Sequence, residues 1–202
     1  WVMLLIISYF SYKSARFGTL ENMQTIAVAA APFALIALGQ TLVILTGGID
    51  LSVGSVIAVS AMSAGWVVKD HPERLMLAFL VAILVGLIAG SINGFLVAQI
   101  NVPPFIATLG MLTTASGFAY VIGNGAPING LPDNFGQIAN TKIAGLEIPV
   151  ITMIIAIALF VFVMSRTSYG MRVYAVGGNP VASQISGVKT KRVLFSVYAI
   201  SG

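Results

Sequence analysis

The chain has 202 residues, 58% of them hydrophobic and only 8% charged, with a mean hydropathy of +0.99. Soluble globular domains carry about 25% charged residues, so this composition reads as an integral membrane protein whose first partner is the lipid bilayer. The net charge of +4 and pI near 9.6 do not indicate nucleic acid, because the cations are sparse, stand between apolar runs and lack interleaved aromatics, and the absence of cysteine leaves no disulfide frame or thiol chemistry.

In chain order, Trp1–Tyr12 reads as the tail of a first span, closed by the polar turn Lys13–Glu21 with an aromatic flank at Tyr9, Phe10, Tyr12 and Phe17. It has no basic n-region and no initiating methionine, so it is not read as a signal peptide. A second span follows over about Asn22–Thr46. Pro32 lies inside it, removes one backbone hydrogen bond and predicts a bend, serving either a transport path or packing alone. In Gly47-Gly48-Ile49-Asp50-Leu51-Ser52-Val53-Gly54 the glycines are expected to end one helix while Asp50 caps the next. As a cap near the surface, the favoured reading, Asp50 satisfies backbone donors; at mid-depth the same carboxylate would be costly and functional.

The third span, Leu51–Val68, sets Gly54, Ala58, Ala61 and Gly65 on one face, where small side chains permit close helix approach. Lys69–Arg74 is a polar turn holding the single histidine, His71, read as solvated, and no cluster of Cys, His and carboxylates offers a metal site. The fourth span, Leu75–Ala98, repeats Ala82, Gly86, Gly90, Gly94 and Ala98 every four residues, a small-residue ridge expected to seat another helix. Ser91 and Asn93 beside it need polar partners. After Pro103-Pro104, a fifth span over Phe105–Ile122 carries Thr108, Thr113, Thr114 and Ser116, whose hydroxyls either bond back to their own helix or line a path for a hydroxylated solute. Residues 123–148 are expected to form an extracytoplasmic Gly/Pro/Asn-rich loop with one cation, Lys142, and Pro149 opens a sixth span ending near Met164.

Ser165–Arg192 holds Arg166, Arg172, Lys189, Lys191 and Arg192, half of the chain's cations, and no acid. Pinned between the uncharged runs Ile148–Met164 and Val193–Gly202, it reads as a cytoplasmic loop. Within it Ser168 is expected to cap a short helix stopped by Gly177-Gly178; Asn179 and Pro180 start a second that ends at Gly187. This orientation leaves five Lys/Arg on each side, so it rests on the local density of the cluster and not on the sum.

Three stretches, SYGMRVYAVGGNPVASQISGV (Ser168–Val188), GQTLVILTGGIDLSVGSVIA (Gly39–Ala58) and NGFLVAQINVPPFIATLGM (Asn93–Met111), resemble signature segments of the ribose-type family of bacterial ABC sugar-importer permeases. The resemblance covers essentially the whole chain. It implies an all-α, polytopic helical membrane protein of the inner membrane, with about six to seven spans in one transmembrane domain, residues 1–202. Starting inside an apolar run and stopping at Gly202, the chain looks like a fragment of a longer permease. The resemblance further implies a second permease copy as homo- or heterodimer partner, an extracytoplasmic sugar-binding protein and a cytoplasmic ATP-binding subunit. That subunit would contact the loop where Tyr169, Gly170, Arg172, Gly177, Asn179, Ala182 and Gly187 match the family pattern. Asp50, Ser52, Asn93, Phe105 and Thr108 are the candidate lining of the pathway.

No G-x-x-x-x-G-K-[ST] occurs, so no phosphate cradle of that kind is present and ATP with its magnesium is expected in a partner subunit; the chain itself needs no cofactor and is not expected to be an enzyme. The alternative is an ion-coupled secondary transporter or channel for a small polar solute. Such coupling draws on intramembrane ionisable groups, of which Asp50 is the one candidate.

Overall fold

A computed structural model describes all residues, Trp1–Gly202. Ten α-helices follow one another: α1 (Val2–Lys13), α2 (Leu20–Leu45), α3 (Val53–Val68), α4 (Leu75–Ala98), α5 (Pro104–Ile122), α6 (Asp133–Asn140), α7 (Ile148–Arg166), α8 (Ser168–Gly178), α9 (Pro180–Ile185) and α10 (Thr190–Ser201). By length and composition, α2, α4 with its preceding 3-10 turn Pro72–Arg74, α5 and α7 can each cross a membrane, while α1 and α3 are shorter apolar helices. The chain is a polytopic helical membrane protein.

Local chemistry explains most boundaries. The Thr19 hydroxyl accepts the Asn22 amide at 3.3 Å and starts α2, which runs on through Pro32. Residues 123–148 are more ordered than the expected loop. They hold α6 and a two-stranded hairpin, β1 (Lys142–Ile143) against β2 (Leu146–Glu147), turned by Ala144 and Gly145 with φ of 52° and 83°. Two successive positive φ values match the twist of the strands, which is why a two-residue turn closes there. Across it Lys142 Nζ lies 3.1 Å from Glu147 Oε1.

The helix α4 packs against α10, α3 and α5, and α2 against α7 and α10. Small residues make the tightest of these contacts. A Cβ on Gly94 would stand 2.7 Å from the Phe195 carbonyl oxygen, and one on Gly90 would stand 2.9 Å from Gly202 Cα and closer still to the Tyr198 carbonyl. Gly86 meets the Gly202 carbonyl in the same way. The ridge therefore seats α10 backbone to backbone, an approach that Cβ atoms would prevent.

The small face of α3 behaves differently: Gly65 is buried beside Ile128 and Leu131, but Gly54, Ala58 and Ala61 are exposed. Their spacing marks a face without supplying a neighbour within this chain. At the end of the bundle beside α8, Leu42, Val43, Val97, Ala107, Met164, Val173, Val176, Val193, Val197 and Tyr198 form one core joining α2, α4, α5, α7, α8 and α10.

Candidate functional site

The α2–α3 junction departs from the expected surface cap. Gly47, with φ of 77°, turns the chain back after α2, and residues 48–52 run through the bundle without regular structure before α3 begins. The depth follows from the partners. The Gln40 Nε2 group donates to the Asp50 carbonyl at 2.6 Å, and Gln40 lies five residues before the end of α2, about 7.5 Å at 1.5 Å per residue. From α5, Thr108 Oγ1 accepts the Leu51 amide at 3.2 Å while donating to its own Pro104 carbonyl at 2.9 Å. Irregular backbone survives at such depth only where protein groups satisfy it or a cavity takes it up, and here helix side chains do the satisfying.

Ser52, not Asp50, occupies the N-cap position of α3. The Ser52 amide and hydroxyl both donate to Asp50 Oδ1, at 2.8 and 2.6 Å, and Asn93 Nδ2 donates to Ser52 Oγ at 3.0 Å. Asp50 is only 7% exposed, and none of the ion pairs in the chain includes it. Its carboxylate is therefore held inside the bundle by two hydrogen-bond donors and no cation, and it is not the N-cap of α3. Asp50, Ser52 and Asn93 line a cavity of about 190 Å³ together with Val53, Ile57 and Gly90.

Two buried polar atoms here have no hydrogen-bond partner, the Asn93 Oδ1 and the Tyr198 hydroxyl. The Tyr198 hydroxyl packs under Gly48, where a Cβ would collide with it. Of the five residues expected along a pathway, Asp50, Ser52, Asn93 and Thr108 come together. Phe105 does not: it is half-exposed on the first turn of α5, and its side chain makes none of the contacts by which Thr108, itself outside the cavity lining, reaches residues 49–51. Gln40 and Tyr198 are functional candidates that the sequence reading missed. The polar amide of Gln40, so late in an apolar span, was the available signal.

The surface helices form a second site. The cap of α8 is Thr167, one residue before the expected Ser168, its hydroxyl accepting the Gly170 amide at 3.4 Å. Asn179 Oδ1 accepts the Ala182 amide at 2.9 Å, Pro180 is the first residue of α9, and Gly187 with φ of 86° follows it, as expected. The basic run does not stay in the loop, since Thr190, Lys191 and Arg192 already belong to α10.

The seven loop residues divide by direction. Gly170 is buried against Met164, and Gly177 sits on the Leu45 carbonyl with no room for a Cβ. The Tyr169 hydroxyl lies 3.1 Å from Ser196 Oγ on α10, and burial pushes this phenol above its ordinary pKa. Arg172, Asn179, Ala182 and Gly187 face outward beside exposed Met171, Tyr174, Val181 and Ile185. The loop is thus bolted to α2 and α10 on one side and presents an apolar surface on the other.

Residues 22–202 match the family model described as branched-chain amino acid transport system / permease component. The chain is 41% identical over 171 residues to the ribose import permease protein RbsC of Bacillus subtilis, covering 83% of this chain and 52% of that protein. It is 36% identical to RbsC of Haemophilus influenzae, covering 99% and 63%, and 34% identical to the fructose import permease protein FrcC of Rhizobium meliloti, covering 100% and 58%. The chain therefore spans between half and two thirds of the length of these relatives. No solved structure matches it. Matched over all but its first 21 residues, the chain belongs to the family of branched-chain amino acid transport system permease components.

Proposed function

We propose that this chain is the core of the membrane-spanning subunit of an ATP-binding-cassette importer, carrying a monosaccharide of the ribose type across the bacterial inner membrane. A separate cytoplasmic subunit binds and hydrolyses ATP, an extracytoplasmic binding protein delivers the sugar, and a second permease copy completes the path. The import permease names of its relatives support the substrate class.

The observation that carries the mechanism is the seat of Gly177 on the Leu45 carbonyl. Leu45 ends α2, and the next residues are Thr46–Ser52, which carry Asp50. A rigid-body push on α8 and α9 by an ATPase is therefore transmitted to the end of α2 and from there to the buried segment. The Tyr169–Ser196 contact carries the same push to α10, whose Tyr198 packs under Gly48. Coupling needs only such a contiguous, packed route with two arrangements. The proposed ATPase contact is the outward set Arg172, Asn179, Ala182 and Gly187 with its apolar neighbours.

The buried, unpaired Asp50 favours the second reading, in which an ion gradient drives transport. In the full-length protein, Gly177→Trp is expected to leave membrane insertion intact while ATP hydrolysis continues without sugar uptake. Uptake that persists without the ATPase subunit and collapses with an ionophore would refute the proposal and support ion coupling.

A further inference from the structure

The contacts around Asp50 use only one of its two carboxylate oxygens. Asn93 Nδ2 donates to Ser52 Oγ, and the Ser52 hydroxyl and amide both donate to Asp50 Oδ1, so this relay fixes the orientation of the carboxylate. Oδ2 accepts no hydrogen bond from the chain, yet it is not sealed in protein as Asn93 Oδ1 is, so it opens on the cavity that Asp50 lines. The Ser201 hydroxyl at the end of α10 lines the same cavity. Most of the remaining wall is hydrocarbon, from Leu35 and Ile36 on α2 and Val53, Val56 and Ile57 on α3. Its volume of about 190 Å³ is the room of about six waters at about 30 Å³ each, which suits one monosaccharide ring and not two.

We infer that this cavity is a resting site for the sugar within the membrane, where Asp50 Oδ2 accepts hydrogen bonds from ring hydroxyls. The inference deepens the reading of the chain as a sugar permease and rests on it. A sugar ring is amphipathic: its C–H groups seat on the Leu, Ile and Val walls while its hydroxyls need acceptors. An apolar pocket with a few placed polar groups is the usual form of a small-molecule site. A carboxylate oxygen makes hydrogen bonds about twice as strong as a neutral acceptor does, so one suffices to hold the ring. A cation stripped of its water would need a shell of oxygens, and this largely hydrocarbon wall does not offer one. The charge also selects, because away from bulk water it repels a sugar acid far more than it would in solution. Ser52 and Asn93 are positioning residues, since they occupy Oδ1 and leave Oδ2 for the ligand. On the proposed coupling route through Leu45, Asp50 moves with residues 46–52, so the same push that opens the path withdraws the acceptor and releases the sugar.

The test measures D-ribose binding to the full-length permease with its ATPase in nanodiscs, without nucleotide or binding protein, by saturation-transfer NMR. ATP-dependent uptake by the complete transporter is measured beside it. Wild type is expected to bind ribose and to favour D-galactose over D-galacturonate, rings of similar size that differ by one carboxylate. Asp50→Asn keeps an oxygen on Ser52 and turns an amide nitrogen to the cavity. Ribose binding should then weaken by about ten- to a hundredfold, the scale of hydrogen bonds to a charged acceptor, and the preference against galacturonate should narrow. Ile57→Phe fills the cavity from a half-exposed position and should abolish binding, whereas Ile155→Phe, exposed on α7, should leave it unchanged. Absence of ribose binding to wild type, or binding indifferent to both Asp50→Asn and Ile57→Phe, would overturn the site while ATP-dependent uptake kept the permease reading intact. Wild type without ATP-dependent uptake would remove that reading and the inference with it. Sodium retained by wild type, not displaced by ribose and lost in Asp50→Asn, would also overturn it and assign Asp50 to a cation.

Discussion

Replacing Gly90 by alanine adds one methyl group at the closest contact between α4 and α10. That methyl would lie 2.9 Å from Gly202 Cα, and ordinary contact begins near 3.4 Å, so the helices must part by about 0.5 Å in this direction and more to clear the Tyr198 carbonyl. A gap of that size forfeits about a quarter to a half of each neighbouring dispersion contact. Overpacking of this kind costs about 1–3 kcal/mol. Against it stands the helix propensity of alanine over glycine, worth up to about 1 kcal/mol. Gly117→Ala on α5 has the same propensity gain with open space around it, so comparing the two cancels that gain and isolates packing. The folded-to-unfolded ratio of Gly90→Ala is expected to fall below that of Gly117→Ala by about 5- to 150-fold, the equivalent of 1–3 kcal/mol. Reversible unfolding in mixed detergent micelles measures both, and Gly90→Ile should fare worse still. Equal stability of the two alanine variants would mean that α10 does not lie on this ridge.

Other outcomes are specific to the loops and to Asp50. Single cysteines at Gln184 and Asn129, both exposed, should be labelled from opposite faces of the membrane, whereas one at Ser183, the buried residue of α9, should resist labelling in the folded protein; labelling of Gln184 and Asn129 from the same side would contradict the topology. Asp50→Asn keeps an oxygen to accept from Ser52, so folding should hold while uptake falls at least about tenfold, and near-normal uptake would show that the charge is not used. The Glu147 carboxyl is held below its ordinary range by its own backbone amide and then by Lys142. A depressed folded pKa means that this stabilisation is full above the ordinary carboxylate pKa and lost as pH falls through the depressed one. The protection of the Ile143 and Leu146 amides against hydrogen exchange, relative to the unstructured rate at the same pH, should accordingly fall only in that acidic window, and Lys142→Gln should weaken the dependence.

Helix limits set by local chemistry were legible without coordinates. Leu75–Ala98 and the start of α9 at Asn179-Pro180 follow from caps, apolar length and glycine placement, which depend on near neighbours alone. The glycine ridge announced a helix contact, but its spacing could not say that α10 fills it, because small residues specify closeness and not identity. The depth of Asp50 was illegible for the same reason. Hydropathy separates apolar runs, while the descent of residues 48–52 depends on Gln40, Asn93 and Thr108 reaching in from three other helices. The hairpin was missed because Ala144 adopts a positive φ that turn statistics reserve for Gly, Asn and Asp. On α3, Gly54, Ala58 and Ala61 show that a small face is a capacity for contact that this chain leaves unused.

Where α4 meets α10, the surfaces are carbonyls and α-carbons on one side and bare glycines on the other. Elsewhere in the bundle side chains interdigitate, and sliding one helix past its neighbour would require each knob to climb out of its hole and change rotamer. Along this seam there are few knobs to climb. The forces across it are weak and similar from one turn to the next, among them contacts between α-carbon hydrogens and carbonyl oxygens. The seam therefore works like a plain bearing, stiff against any increase in bulk yet compliant to a small axial or rolling displacement. On the proposed coupling route, a seam of this kind would let α10 carry a push received at Ser196 past Gly94, Gly90 and Gly86 without melting the core around it.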